Sequence, residues 1–191
     1  MGFTNVEADR RVLDCLRDAT GSQHQRLEQR FNAIELLADP ETRPATIKRY
    51  ATFYSSAHIG LGKWLAPLEG LDFQKRARAW KTLQFLGYNL CPSARFSEPA
   101  DQYEALGALY VIEGSSLGGR IILRNLASRG IVDPHLSFLD PYGSATGQMW
   151  RSLMTVLEHK GGQGDEYLES ICRGAISGFD NAERILCGDV L

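Results

Sequence analysis

Between residues 13 and 34, Leu13, Leu16, Thr20, His24, Leu27, Phe31 and Ile34 follow one another at intervals of three or four. That is the spacing of one face of an α-helix, and His24 interrupts an otherwise largely apolar stripe. A histidine in such a place is either a core residue with both ring nitrogens satisfied, or a ligand whose imidazole is presented into a pocket. Glu28 follows His24 by one turn, where a carboxylate is placed to accept the second ring N–H, directly or through water, and so orient the ring. Arg17 precedes it by two turns on nearly the same face. Seven residues of helix separate Cα atoms by about 10.5 Å along the axis, a span over which a guanidinium can pair with an anionic group on a ligand bound by His24. The pattern suits a large anionic ligand; the alternative for Glu28 and Arg17 is a solvated helix flank.

A second segment, YVIEGSSLGGRII, carries Gly114, Gly118 and Gly119 inside what otherwise reads as a long helix. Each glycine in a helix interior costs roughly 0.5–1 kcal/mol relative to alanine, so something must approach that backbone closely. Another helix would do so, and so would a flat ligand. A dinucleotide or Walker loop is excluded, because no strand precedes the segment and its glycines fit neither spacing. Ser115 and Ser116 are placed to bond back to carbonyls and bend the helix, to hold water in a pocket, or simply to fill the helix.

The elements that must position these groups are helices. The 191-residue chain has seven prolines, and the proline-free spans between them predict helices near residues 7–38, 44–66, 72–90, 100–129, 143–160 and 164–187. DPET, CPSARFSEPAD, RGIVDPHLSFLDPYGS and HKGGQGD read as connections. Alternating runs rich in Val, Ile and Thr are lacking, so the expected class is all-α, one domain over residues 1–191 around one core. The formal net charge of −2 offers no electrostatic reason to expect nucleic acid or an anionic membrane as partner. The start lacks the apolar core of a signal peptide, and no later apolar run is read as reaching the ~20 residues of a membrane span, so the expected setting is the cytoplasm. Cys15, Cys91, Cys172 and Cys187 form no C-x-x-C pair and read as reduced core or surface thiols. His58 is expected in core or flank, His135 and His159 at the surface, and the basic runs KRARAWK and RDATGSQHQR as solvated faces.

Taken together, LRDATGSQHQRLE and YVIEGSSLGGRII, about ninety residues apart, resemble the heme oxygenase family, specifically its bacterial biliverdin-producing members. The resemblance covers essentially the whole chain and implies a multi-helix bundle holding heme between the first helix and a distal helix kinked at glycines. It implies that His24 ligates the iron, with Glu28 behind it, and that Gly114 and Gly118 are the distal glycines, with Ser115 between them. YGSATGQMWRSLMTVLE resembles the segment in which Trp150 precedes a propionate-binding Arg151, with Arg17 as a second propionate contact. Gly119 and Phe179 are carried over as heme contacts, Phe179 with a core role as the alternative. Tyr110 is carried over as a distal-side tyrosine, with Leu109 as the other candidate for that position. At Ser115 the mammalian type has an aspartate that organises distal water, so this chain departs there and its distal network is expected to be one of backbone and water.

The activity implied is oxidative opening of heme b (iron protoporphyrin IX), at once cofactor and substrate, to biliverdin, carbon monoxide and ferrous iron. Oxygen is consumed and electrons come from an external donor such as a ferredoxin or reductase, since nothing here reads as a nicotinamide or flavin site. A non-catalytic heme-binding or heme-sensing protein on the same fold is the alternative. Catalytic contributions are expected from Gly114, Ser115 and Gly118.

Overall fold

The computed structural model describes residues 12–88 and 95–188. Seven α-helices follow in order among the described residues: α1 (Val12–Arg30), α2 (Ala33–Ala38), α3 (Arg43–Leu65), α4 (Arg78–Phe85), α5 (Gln102–Ser128), α6 (Thr146–Gly161) and α7 (Asp165–Leu186). Among the described residues there is no strand, and the all-α expectation holds.

Most predicted helices lie within the spans the prolines left, with three differences. The first span divides. Helix α1 ends at Arg30, and Asn32 caps α2 by accepting from the Glu35 amide, because an Asn side chain competes with helix propagation and favours a new start. The span 72–90 opens as a 3-10 turn, Phe73–Ala77, capped by Asp72, and its helix stops at Phe85. The connection after α5 contains 3-10 turns at Pro134–Leu139 and Gly143–Ala145. The predicted residues 7–11, 89 and 90, and Cys91, lie outside the described residues.

Helix α5 is the centre of the molecule and packs most extensively on α7, then on α3, α6 and the Pro134–Leu139 turn. Its pairing with α7 depends on two glycines that the sequence pattern did not single out. A Cβ on Gly107 would run into the Ile171 carbonyl, and one on Gly174 into the Glu104 carbonyl, so the two helices meet backbone to backbone through reciprocal gaps. Around this axis Leu16, Phe53, Leu106, Leu109, Phe138, Leu153 and Ile171 form one connected apolar cluster. The reading that no apolar stretch reaches membrane-spanning length is corrected by α5, which is long and apolar enough by composition. Most of its apolar side chains pack against its neighbours, as in the core helix of a globular protein, while Leu117 and Ile121 are exposed.

Candidate functional site

His24 lies on α1, four residues past the last buried position of that helix, with 58% of its side chain exposed. Glu28 Oε2 stands 3.5 Å from Nδ1, as the i,i+4 spacing requires. Among the described residues Nε2 has no hydrogen-bond partner, so that nitrogen is available to a ligand. The ring meets Phe179 of α7 edge to face, centroids 5.6 Å apart. Phe179 is buried, so it serves the core and the histidine at once. The next contact leads to α5, because a Cβ on Gly178 would touch Val111 and Ala108.

On that stretch of α5, Leu109 is buried in the core while Tyr110 is half-buried, its ring 5.5 Å from that of Trp150. Burial raises the Tyr110 phenol, and the positive charge of Arg17 opposes the shift. Arg17 is exposed, with Asp14 4.0 Å away. Trp150 also faces Gly114, where a Cβ would sit 3.8 Å from the indole. Arg151 is exposed and folds back on its own helix, Nη1 beside Gly147. The structure thus pairs His24 with Phe179 across α1 and α7, and gathers Tyr110 and Gly114 of α5 against Trp150 of α6.

The consecutive glycines Gly118 and Gly119 of α5 separate by role. A Cβ on Gly118 would have no neighbour within 4 Å, whereas one on Gly119 would collide with the Leu139 carbonyl. Gly119 therefore has a packing role, because the carbonyl of Leu139, at the end of the Pro134–Leu139 turn, fills the space its missing side chain leaves. Leu117 and Ile121 flank Gly118 and are exposed apolar residues, the surface expected of a helix edge that awaits a flat apolar ligand.

Ser115 sits in a side-chain network that the sequence reading did not foresee. Its hydroxyl donates to the Ile112 carbonyl at 2.5 Å, a back-bond of the kind that bends helices. That leaves its oxygen to accept from Tyr54 of α3 at 2.8 Å. Burial pushes the Tyr54 phenol up to about 12, so it stays protonated and able to donate at neutral pH. To the expected backbone and water partners of Ser115 the structure adds a tyrosine hydroxyl.

Behind it lies a buried ion pair. Arg76 Nη1 stands 3.1 Å from Glu113 Oε2, both side chains at most 4% exposed. Tyr142 donates to Glu113 Oε1 at 2.7 Å, and Arg76 Nη2 donates to Ser152 Oγ at 2.9 Å. Burial raises the Glu113 carboxyl while Arg76 and Tyr142 oppose the shift. Arg76 belongs to KRARAWK, so the reading of that run as a solvated face is corrected at this residue. A carboxylate at Glu113 inside an apolar helix was the one sequence signal that a buried cation had to exist. Arg76 also borders a cavity of about 20 Å³ shared with Tyr54, His58 and Trp80, room for one water.

The other histidines fall as read. His58 is half-buried and stacked on Phe73, and His135 and His159 are exposed. A cleft of about 660 Å³ lined by Trp64, Tyr103, Tyr167 and Arg173 lies toward the other end of α5 and includes none of the expected site residues.

The chain is 33% identical over 132 residues to a protein named heme oxygenase from Xanthomonas campestris pv. campestris (strain 8004), a match covering 64% of this chain and 75% of that relative. The chain belongs to the heme oxygenase family. No family model matches it. Its all-α architecture agrees with that membership. The residues present also fit heme: an imidazole whose Nε2 has no partner among the described residues, a helix surface that no described residue covers at Gly118, and two exposed arginines for carboxylates.

Proposed function

We propose that this heme oxygenase family member opens the heme ring oxidatively to biliverdin, releasing carbon monoxide and ferrous iron, with oxygen and electrons from an external ferredoxin or reductase. The observation that carries the reading is the combination of His24, whose Nδ1 has Glu28 Oε2 3.5 Å away, with Gly118, whose missing side chain no described residue replaces.

Heme, once bound, supplies the redox-active iron and the carbon that is oxidised. His24 Nε2 is the nitrogen that would hold the iron, and the Glu28 carboxylate and the Phe179 edge orient the ring. Gly114 and Gly118 keep side chains off the facing helix surface. Ser115 Oγ would hand on a proton there once its hydroxyl leaves the Ile112 carbonyl, and Tyr54 of α3, which donates to that oxygen, would resupply it. Arg17 and Arg151 would pair with the propionates and set the in-plane rotation of the ring, which decides the carbon attacked. The shared apolar cluster supports reading residues 1–191 as one domain, and the free thiols of Cys15, Cys172 and Cys187 suit a reducing cytoplasm.

The test is anaerobic reconstitution with hemin followed by oxygen and a reductant. Biliverdin and carbon monoxide should appear, and His24→Ala should alter or abolish the Soret band. A heme spectrum that persists without pigment would make the protein a heme binder or sensor, and an unchanged spectrum in His24→Ala would remove the ligand role. Arg17→Ala or Arg151→Ala should weaken hemin binding or scramble the biliverdin isomers.

A further inference from the structure

Past Thr20, α1 has no buried residue, although this is the half that carries His24. Apolar packing there is limited to Leu27, which is only partly buried against the core. What ties this half to α7 is charge. Arg26 donates from Nε to Glu183 Oε2 at 2.6 Å and from Nη2 to Asp180 Oδ1 at 3.0 Å. Arg30 Nη1 takes the other Glu183 oxygen. The Glu183 side chain is only 10% exposed, so a nearly buried carboxylate has each oxygen bonded to a different arginine of the same helix. Asp180 and Glu183 lie within one turn of Phe179, the residue that meets the His24 ring.

Helical periodicity places Arg26 and Arg30 on one flank of the α1 face that covers α7, and His24 on the other. The ion pairs therefore set the rotation of α1 about its own axis. A rotation of about 20° moves a group roughly 6 Å from a helix axis by about 2 Å, enough to lift an imidazole off a metal. We infer that Glu183 is a positioning residue: through Arg26 and Arg30 it holds the His24 half of α1 in the rotation that presents the ring beside Phe179. The inference rests on the reading of His24 as the iron ligand, whereas the clamp itself is a property of the ligand-free protein.

The test pairs amide hydrogen exchange of the full chain without heme with hemin titration, for wild type, Glu183→Gln and Glu183→Asp. Arg30→Gln is the milder variant should Glu183→Gln fold poorly. In Glu183→Gln, exchange over residues 21–30 should quicken at least tenfold while residues 50–57 of α3 are unchanged. Hemin affinity should fall at least fivefold with a changed ferric spectrum, and Glu183→Asp should recover part of both. Unchanged exchange over 21–30, or acceleration spread equally over α3 and α5, would overturn the clamp. Faster exchange with unaltered hemin affinity and spectrum would overturn its role in positioning His24. Failure of wild type to bind hemin would overturn the ligand reading and the positioning role with it, and the exchange data would still decide whether the clamp exists.

Discussion

Gly118 and Gly119 are consecutive on α5 and meet opposite surroundings: a Cβ on Gly118 would touch nothing within 4 Å, and one on Gly119 would strike the Leu139 carbonyl. One glycine leaves a surface open, and the other lets the chain close on itself.

Alanine at each position should separate these roles. Gly118→Ala should leave the heme-free fold intact, or stabilise it by up to about 1 kcal/mol through helix propensity, while reducing hemin affinity or pigment formation. Gly119→Ala should destabilise by about 1–3 kcal/mol through overpacking. Thermal unfolding without heme and hemin titration of both variants check this, and equal destabilisation by the two would remove the assignment.

Tyr54→Phe deletes the donor to Ser115 Oγ while Ser115 keeps its bond to the Ile112 carbonyl. Hemin affinity should stay within about twofold of wild type, and the rate of biliverdin formation should fall by roughly 10²-fold, the lower end for a positioned proton donor. Stopped-flow absorbance under single-turnover conditions measures both quantities. An unchanged rate would take Tyr54 out of proton delivery.

Arg76→Met leaves Glu113 buried beside an apolar chain. Breaking a buried pair from one side should cost about 3–5 kcal/mol. The double variant Arg76→Met with Glu113→Gln should recover a large part of that, because the uncompensated charge is gone. Denaturant unfolding of the two singles and the double decides it, and additive losses would show that the two side chains act separately.

His58 makes stability depend on pH below the ordinary imidazole range. Burial is the larger cause that lowers its pKa from 6.5, and the positive charge of Lys81 on α4 adds to it. Arg76 and Tyr54 share the small cavity beside it, and Phe73 stacks on its ring. The folded protein thus binds this proton more weakly than the unfolded chain, so the stability is present above pH 6.5 and is lost as pH falls through the lower folded value. Unfolding free energies from pH 8 to 5.5 should decline in wild type and decline less in His58→Gln. Parallel curves would show that another group sets the slope.

What was legible beforehand was local. Proline positions delimit helices because a missing N–H and a ring clash act within one turn. The i,i+4 relation of His24 and Glu28 and the glycine spacing of α5 follow from helix geometry alone, and each set lies on a single helix in the structure. The break at Asn32 was missed because a capping side chain there outweighs an apolar stripe that continues through Ile34.

The sequence by itself determined most of the helices and which residues share a face of each, since both depend on residues three or four apart. Tertiary structure alone decided that Arg76 turns inward to Glu113, that Gly119 faces Leu139, that Tyr54 reaches Ser115, and that Glu183 takes Arg26 and Arg30. Each joins residues 20 or more positions apart. Such pairings depend on which helix face arrives opposite, which is settled by the packing of the whole bundle and by backbone contacts such as those of Gly107 and Gly174.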